Sequence, residues 1–195
     1  LDFEQTYSFN GTDIRSTTLA FYEGDKRATD AAADDAQVRT EQYKKGTAAS
    51  DSITGLKKQT FRYFKGLVGE EKLDFEQTYA FNGTDIRSTT LAFYEGDKRA
   101  ADASADDAQI RTEQYKKGDA ASDDITGLKK QNFRYFKCLV GAEKLDFEQQ
   151  RLVGTDALRS LLAVGQLGRD HEVVDGAFLH ELHALLAGAP RTLSA

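Results

Sequence analysis

Methionine and tryptophan are absent from this chain, proline occurs once, at Pro190, and cysteine once, at Cys138. Each absence excludes something. A proline-free run of this length lacks the commonest helix breaker, which tilts the expectation toward helix and away from proline-rich disordered linkers. A single cysteine closes no intramolecular disulfide, so the sequence marks no oxidising compartment and leaves localisation unread. No apolar run approaches the roughly 20 residues of a membrane-spanning helix. Histidine is missing until His171. Leu1 stands where an initiator methionine would, with no basic-then-apolar leader behind it, which gives the expectation of a mature or excised form. A formal net charge of -6 offers no strongly basic surface, so no sequence-specific nucleic-acid partner is expected.

What the chain does contain is itself, repeated. Leu1, Leu73 and Leu145 each open the pentapeptide Leu-Asp-Phe-Glu-Gln, so a unit of about 72 residues is written twice and then begun again. The expected organisation is unit one at 1–72, unit two at 73–144, and a truncated third unit at 145–195. The third keeps Gly154-Thr155-Asp156 and then departs into a leucine-rich tail. There Val174, Phe178, Leu182, Leu185 and Leu186 recur at helical spacing before Gly188 and Pro190, as an amphipathic capping helix would.

Within each unit the last third has the clearest periodicity. Ile53, Leu56, Phe61, Phe64, Leu67 and Val68 fall on one face of a helix over 51–69, repeated over 123–141. Asp34-Asp35-Ala36-Gln37 resembles a capping box and predicts a second helix ending at Gly46. The start of the unit reads two ways. Alternation of Leu1, Phe3, Tyr7 and Phe9 before Asn10-Gly11 spells a β-hairpin. The acidic, lysine-containing junction 69–77 instead suits a helix capped at Asn82-Gly83, and that reading is favoured. The predicted fold is therefore mainly α, a tandem helical repeat, with α+β as the alternative if the hairpin forms.

Candidate sites are weighed by comparing the copies. Cys138 has Gly66 as its counterpart and no histidine in either copy to activate it, so it reads as an inert thiol. His180 and His183 are three apart, not four as in a helical zinc-protease motif, and read as solvated. The acids at Asp25, Asp30, Asp34 and Asp35, and at Asp119, Asp123 and Asp124, lack calcium-loop spacing. Asn10-Gly11-Thr12 and Asn82-Gly83-Thr84 match the glycosylation acceptor pattern, but a turn or cap explains Asn-Gly without sugar and is the favoured reading. No catalytic, cofactor or metal residue is assigned. The leading contact is the basic face of the aromatic helix in each copy: Lys57, Lys58, Arg62 and Lys65, and Lys129, Lys130, Arg134 and Lys137.

These readings describe a non-enzymatic structural or scaffold subunit that presents duplicated surfaces to protein partners in a larger complex. Peripheral contact with an anionic membrane is compatible with the same basic face. Two alternatives use other features. One is a small-ligand or pigment carrier with an aromatic-lined pocket per repeat; the other is a polyprotein cut at the Lys-Leu junctions before Leu73 and Leu145.

Overall fold

A computed structural model describes residues 1–137 and 144–150. They form one antiparallel sheet of nine strands in simple sequence order. The strands are β1 (Phe3–Tyr7), β2 (Ile14–Tyr22), β3 (Gln37–Lys44), β4 (Lys57–Lys65), β5 (Lys72–Tyr79), β6 (Ile86–Tyr94), β7 (Gln109–Lys116), β8 (Lys129–Lys137) and β9 (Lys144–Gln150). The mainly α expectation is wrong, and so is the α-helical character attached to it. Among the described residues the only helical elements are single 3-10 turns, Glu23–Asp25 and Glu95–Asp97. Among the described residues no helix is long and apolar enough to cross a membrane. The proposed capping helix of the tail, Cys138 and all three histidines lie outside the described residues.

The misread helices have physical explanations. Over 51–69 the helical spacing came from two unrelated sets of residues. Ile53 and Leu56 belong to a loop laid over the sheet, while Phe61 and Phe64 belong to β4. A bulge between Tyr63 and Phe64 breaks the strict alternation that would have announced the strand. What holds β4 extended is cross-strand packing: Tyr63 stacks on Phe75 of β5 with ring centroids 4.2 Å apart. The capping-box reading of Asp35 fails for a different reason. Its carboxylate accepts from the Ala32 N–H and from Lys26 Nζ, both at 2.7 Å, and so anchors a loop that precedes β3. The junction 69–77, favoured as helix, is a turn running into β5, and the hairpin alternative is what forms: β1 and β2 pair across the turn holding Asn10-Gly11. The α+β alternative as a whole is also overturned, since the remaining elements are strands.

Register repeats with the sequence. Phe3 faces Leu19 as Phe75 faces Leu91, and Arg62 faces Glu76 as Arg134 faces Glu148. Alternation then gives the sheet two dissimilar faces. One carries the aromatic and aliphatic residues. Leu19, Tyr43, Phe61 and Tyr79 form its first buried cluster, lidded by Ile53 and Leu56. Phe75, Leu91 and Tyr115 form the second, lidded by Ile125 and Leu128. The opposite face carries a polar row that includes Thr40, Arg62, Glu76, Thr90 and Gln114 in adjacent register. Near one end of this face a small cluster of Ala92, Tyr94 and Ala100 packs with Leu73.

Candidate functional site: a lysine-bearing end of the sheet

The β3–β4 and β7–β8 loops are each pinned by a glutamine from the first strand of their own repeat. Gln77 is fully buried; its Nε2 donates to the carbonyls of Asp119 (2.8 Å) and Ser122 (3.1 Å), and its Oε1 accepts from the Ala121 N–H (3.0 Å). Gln5 makes the same three bonds to Thr47, Ser50 and Ala49. A glutamine amide offers two donor hydrogens and one acceptor oxygen, so both ends of the side chain are used in holding the loop. Gly46 and Gly118 are required at the loop start, because a Cβ there would sit 2.1 Å and 2.2 Å from Thr17 Oγ1 and Thr89 Oγ1.

Pinned in this way, the loops run down the aromatic face toward the far end of the sheet. Asp51 there meets Arg27, and Asp123 meets Arg99, each pair at 3.3 Å. The consequence is electrostatic. An acid that neighbours the lysines in sequence is drawn to the opposite end of the strands, and the lysines stay behind. Lys44 lies directly across from Lys57, and Lys116 directly across from Lys129. Lys45 and Lys117 extend each group at left-handed backbone positions (φ 71° and 68°) and are exposed. Like charges in opposite register repel by a few tenths of a kcal/mol or more, roughly, so such rows do not arise from sheet stability. At the first row the exposed Phe81 ring, from the second repeat, lies 4.8 Å from Lys44 Nζ and 4.6 Å from Lys57 Nζ. That ring offsets part of the repulsion by a cation–π contact.

The far end has the opposite character. Its β2–β3 loop carries Glu23, Asp25, Asp30, Asp34 and Asp35 against Lys26 and Arg27, and the β6–β7 loop repeats this arrangement. The Lys26–Asp35 and Lys98–Asp107 ion pairs close at 2.7 Å. The Lys26 side chain and the Ala32 N–H hold the Asp35 carboxyl below its usual range. Lys98 and the Ser104 N–H do the same for Asp107.

Of the eight basic residues singled out in the sequence, the structure groups four at the lysine-bearing end and scatters the rest. Lys57 and Lys129 stand in the lysine rows. Lys58 and Lys130 lie beside them but turn onto the aromatic face; Lys58 sits 5.2 Å over Phe61, and Lys130 pairs with Glu113 at 3.1 Å. Arg62 and Arg134 occupy the polar face and pair with Glu76 (2.7 Å) and Glu148 (3.4 Å). Lys65 and Lys137 end their strands at the acidic end, where each also stands across from a lysine, Lys72 and Lys144. Among the described residues no basic helix face exists, because these lysines and arginines lie in strands. Lys44, Lys45, Lys116 and Lys117 were missed. The signal that could have found them is the recurrence of Tyr-Lys-Lys-Gly at 43–46 and 115–118.

Among the described residues no group of three histidine, cysteine or carboxylate side chains is placed to hold a metal ion. The buried rings pack on one another: Tyr43 lies 5.5 Å from Phe61, and Phe61 lies 5.0 Å from Tyr79. No protein-family model, curated protein or solved structure matches the chain.

Proposed function

We propose that this chain is a non-enzymatic assembly module that presents, once per repeat, a lysine-bearing strand end to an acidic surface of a protein partner. The observation that carries the reading is that directly opposed lysines, Lys44 with Lys57 and Lys116 with Lys129, recur in both repeats beside the exposed Lys45 and Lys117. The opposed lysines at the other end, Lys65 with Lys72 and Lys137 with Lys144, differ in that Lys72 is held by the Ala105 and Asp107 carbonyls and Lys137 pairs with Asp146 at 3.0 Å. Stability alone disfavours such rows, and the loop acids Asp51 and Asp123 are engaged elsewhere by Arg27 and Arg99, which leaves Asp119, two residues after Lys117, as a loop acid beside the second row. A desolvating acidic partner would relieve the repulsion and gain from it. The two rows are four strands apart, about 19 Å across the sheet at the usual strand spacing. A partner with acids at matching separation engages both and gains avidity.

The polyprotein alternative fits the fold poorly. The Lys72-Leu73 bond lies within β5, which is paired on both sides, and Lys72 Nζ is held by the carbonyls of Ala105 (3.1 Å) and Asp107 (2.7 Å). A protease would need that strand released.

Binding to polyglutamate, a probe for an acidic surface, tests the proposal. Reversing Lys44 and Lys57 to glutamate should weaken binding by about tenfold or more at low salt, and reversing Lys116 and Lys129 as well should abolish it. Reversing Lys65 and Lys137 should change little. Equal losses from both sets would show that net charge, not the lysine rows, is being read.

A further inference from the structure

Phe81 is 81 % exposed in the turn between β5 and β6, yet its place is closely fixed. The Ala80 N–H donates to the Asp85 carbonyl (2.8 Å) and the Gly83 N–H to the Ala80 carbonyl (2.9 Å), which closes the turn. Inside it the Asn82 side-chain oxygen accepts from the Thr84 and Asp85 N–H groups, both at 3.1 Å. The Asn82 amide donates to the Asp85 carboxylate at 2.6 Å, so the turn's own acid is engaged within the turn. Gly83 is buried against the first residue of β4, where an added Cβ would lie 2.8 Å from Lys57 Cβ. The turn therefore rests on the strand that carries Lys57 and holds the ring beside the first lysine row.

We propose that Phe81 is the specificity-determining residue of that row, selecting acidic peptide segments whose carboxylates flank an apolar side chain over segments that are acidic alone. The inference rests on the reading of the lysine rows as sites for an acidic protein partner, and it names the chemistry of that partner.

The argument is one of competing contacts. Lys44 Nζ and Lys57 Nζ lie over the Phe81 ring, and the exposed Lys45 follows Lys44 in the chain. A cation–π contact at an exposed ring is weaker than a charge-assisted hydrogen bond to a carboxylate. Arriving carboxylates therefore draw the ammonium groups off the ring and uncover its face. A partner that brings only acids leaves that face to water. A partner with leucine or phenylalanine between its acids covers it and gains the apolar burial as well. An aromatic anchor surrounded by polar groups is where protein interfaces concentrate their binding energy. Because the turn is already fixed, little ordering is needed when the partner docks.

The fold itself makes little use of the ring. Among the described residues Phe81 joins neither the buried cluster of Tyr79, two residues before it, nor that of Phe75. Its contacts are with the two lysines, which belong to the surface already assigned to the partner.

The test uses the full chain carrying Lys116→Ala and Lys129→Ala, so that the first row alone is read. Two labelled peptides of equal length and charge are compared by fluorescence anisotropy at low salt, one a repeat of Glu-Glu-Leu and the other a repeat of Glu-Glu-Ser. The leucine peptide should bind about tenfold more tightly, the size expected for partly burying one leucine side chain. Adding Phe81→Ser should bring the ratio of the two affinities to about one, whereas Phe81→Leu should keep most of the preference. Equal affinities for the two peptides, both lost on reversing Lys44 and Lys57 to glutamate, would overturn the role of Phe81 and leave the lysine reading standing. A preference that survives Phe81→Ser would also overturn it, by placing the apolar contact elsewhere. Failure of both peptides to bind would overturn the lysine reading and this inference together.

Discussion

Residues 1–7 and 73–79 have the same sequence, Leu-Asp-Phe-Glu-Gln-Thr-Tyr, and occupy different environments. Tyr79 is 9 % exposed and Tyr7 48 %; Gln77 is fully buried and Gln5 only partly. Sequence, strand type and the partner on one side are all held constant. The variable is the strand on the other side, β4 for the second copy and none described for the first. Burial in this sheet therefore belongs to neighbouring pairs of strands, as expected where stability is a sum over adjacent units.

The largest test of that comparison removes the tyrosine. Tyr79→Ala takes away a ring packed on Phe61 and covered by Lys58, and should cost about 3 kcal/mol. Tyr7→Ala should cost under about 1 kcal/mol, because its ring already faces solvent. Urea denaturation of the two variants checks this; equal losses would mean that β1 is covered in solution. Next in size is the glutamine. Gln77→Ala leaves the Asp119 and Ser122 carbonyls and the Ala121 N–H without partners, an expected loss of about 2–3 kcal/mol. Gln5→Ala breaks the same bonds where water can replace them, at about 1 kcal/mol. Amide exchange at Ala49 and Ala121 should speed up in the corresponding variant.

Where both repeats have the same surroundings, they should respond alike. Asp35 and Asp107 have carboxyls held below their usual range in the fold, each by a lysine and a backbone N–H. A depressed carboxyl contributes stability that is present above its unfolded value and is lost as pH falls through the folded one. Loops 23–36 and 95–108 should therefore loosen together below about pH 4, the ordinary carboxylate value. Exchange at Ala32 and Ser104 across an acid titration follows it, and Asp35→Asn should remove the pH dependence in the first loop only. At the alkaline limit the phenol of Tyr63 is pushed up to about 12, chiefly by burial. Its contribution is present below pH 10, the unperturbed value, and fades as pH rises toward 12. Tyrosinate absorbance should lag behind the unfolded chain over that window.

The sequence made the repeat, its period and the hairpin alternative legible, because Asn-Gly between alternating apolar residues is a local signal. The sheet was not legible, for reasons that particular residues make clear. Ile53 and Leu56 mimic a helical face only because a loop and a strand adjoin in sequence. Asp35 looks like a helix cap because the same carboxylate chemistry anchors a loop. Absence of proline removed an argument against helix without supplying one against strand. At the lysine-bearing end, Lys57 and Lys129 were visible as charges, but their meaning depends on Lys44 and Lys116 across the sheet. That relation is set by pairing, which no local pattern encodes. The withdrawal of Asp51 and Asp123 toward Arg27 and Arg99 is equally a product of the fold.

The smallest test of the β1–β5 comparison lies in its two turns. Gly11 and Gly83 both sit at left-handed φ, +70° and +76°. A side chain at either position meets the same backbone cost, about 1 kcal/mol for alanine. Their surroundings differ. A Cβ at Gly11 meets nothing within 4 Å, whereas one at Gly83 would lie 2.8 Å from Lys57 Cβ and 2.9 Å from its Cα. Lys57 begins β4, so this contact is the turn's share of the same missing neighbour. Gly11→Ala should therefore cost only the backbone term. Gly83→Ala should cost roughly 1 kcal/mol more, since the Lys57 backbone must move to admit the methyl group. A thermal melt of each variant measures the gap. If Gly11→Ala proves as costly as Gly83→Ala, the first turn is covered in solution too.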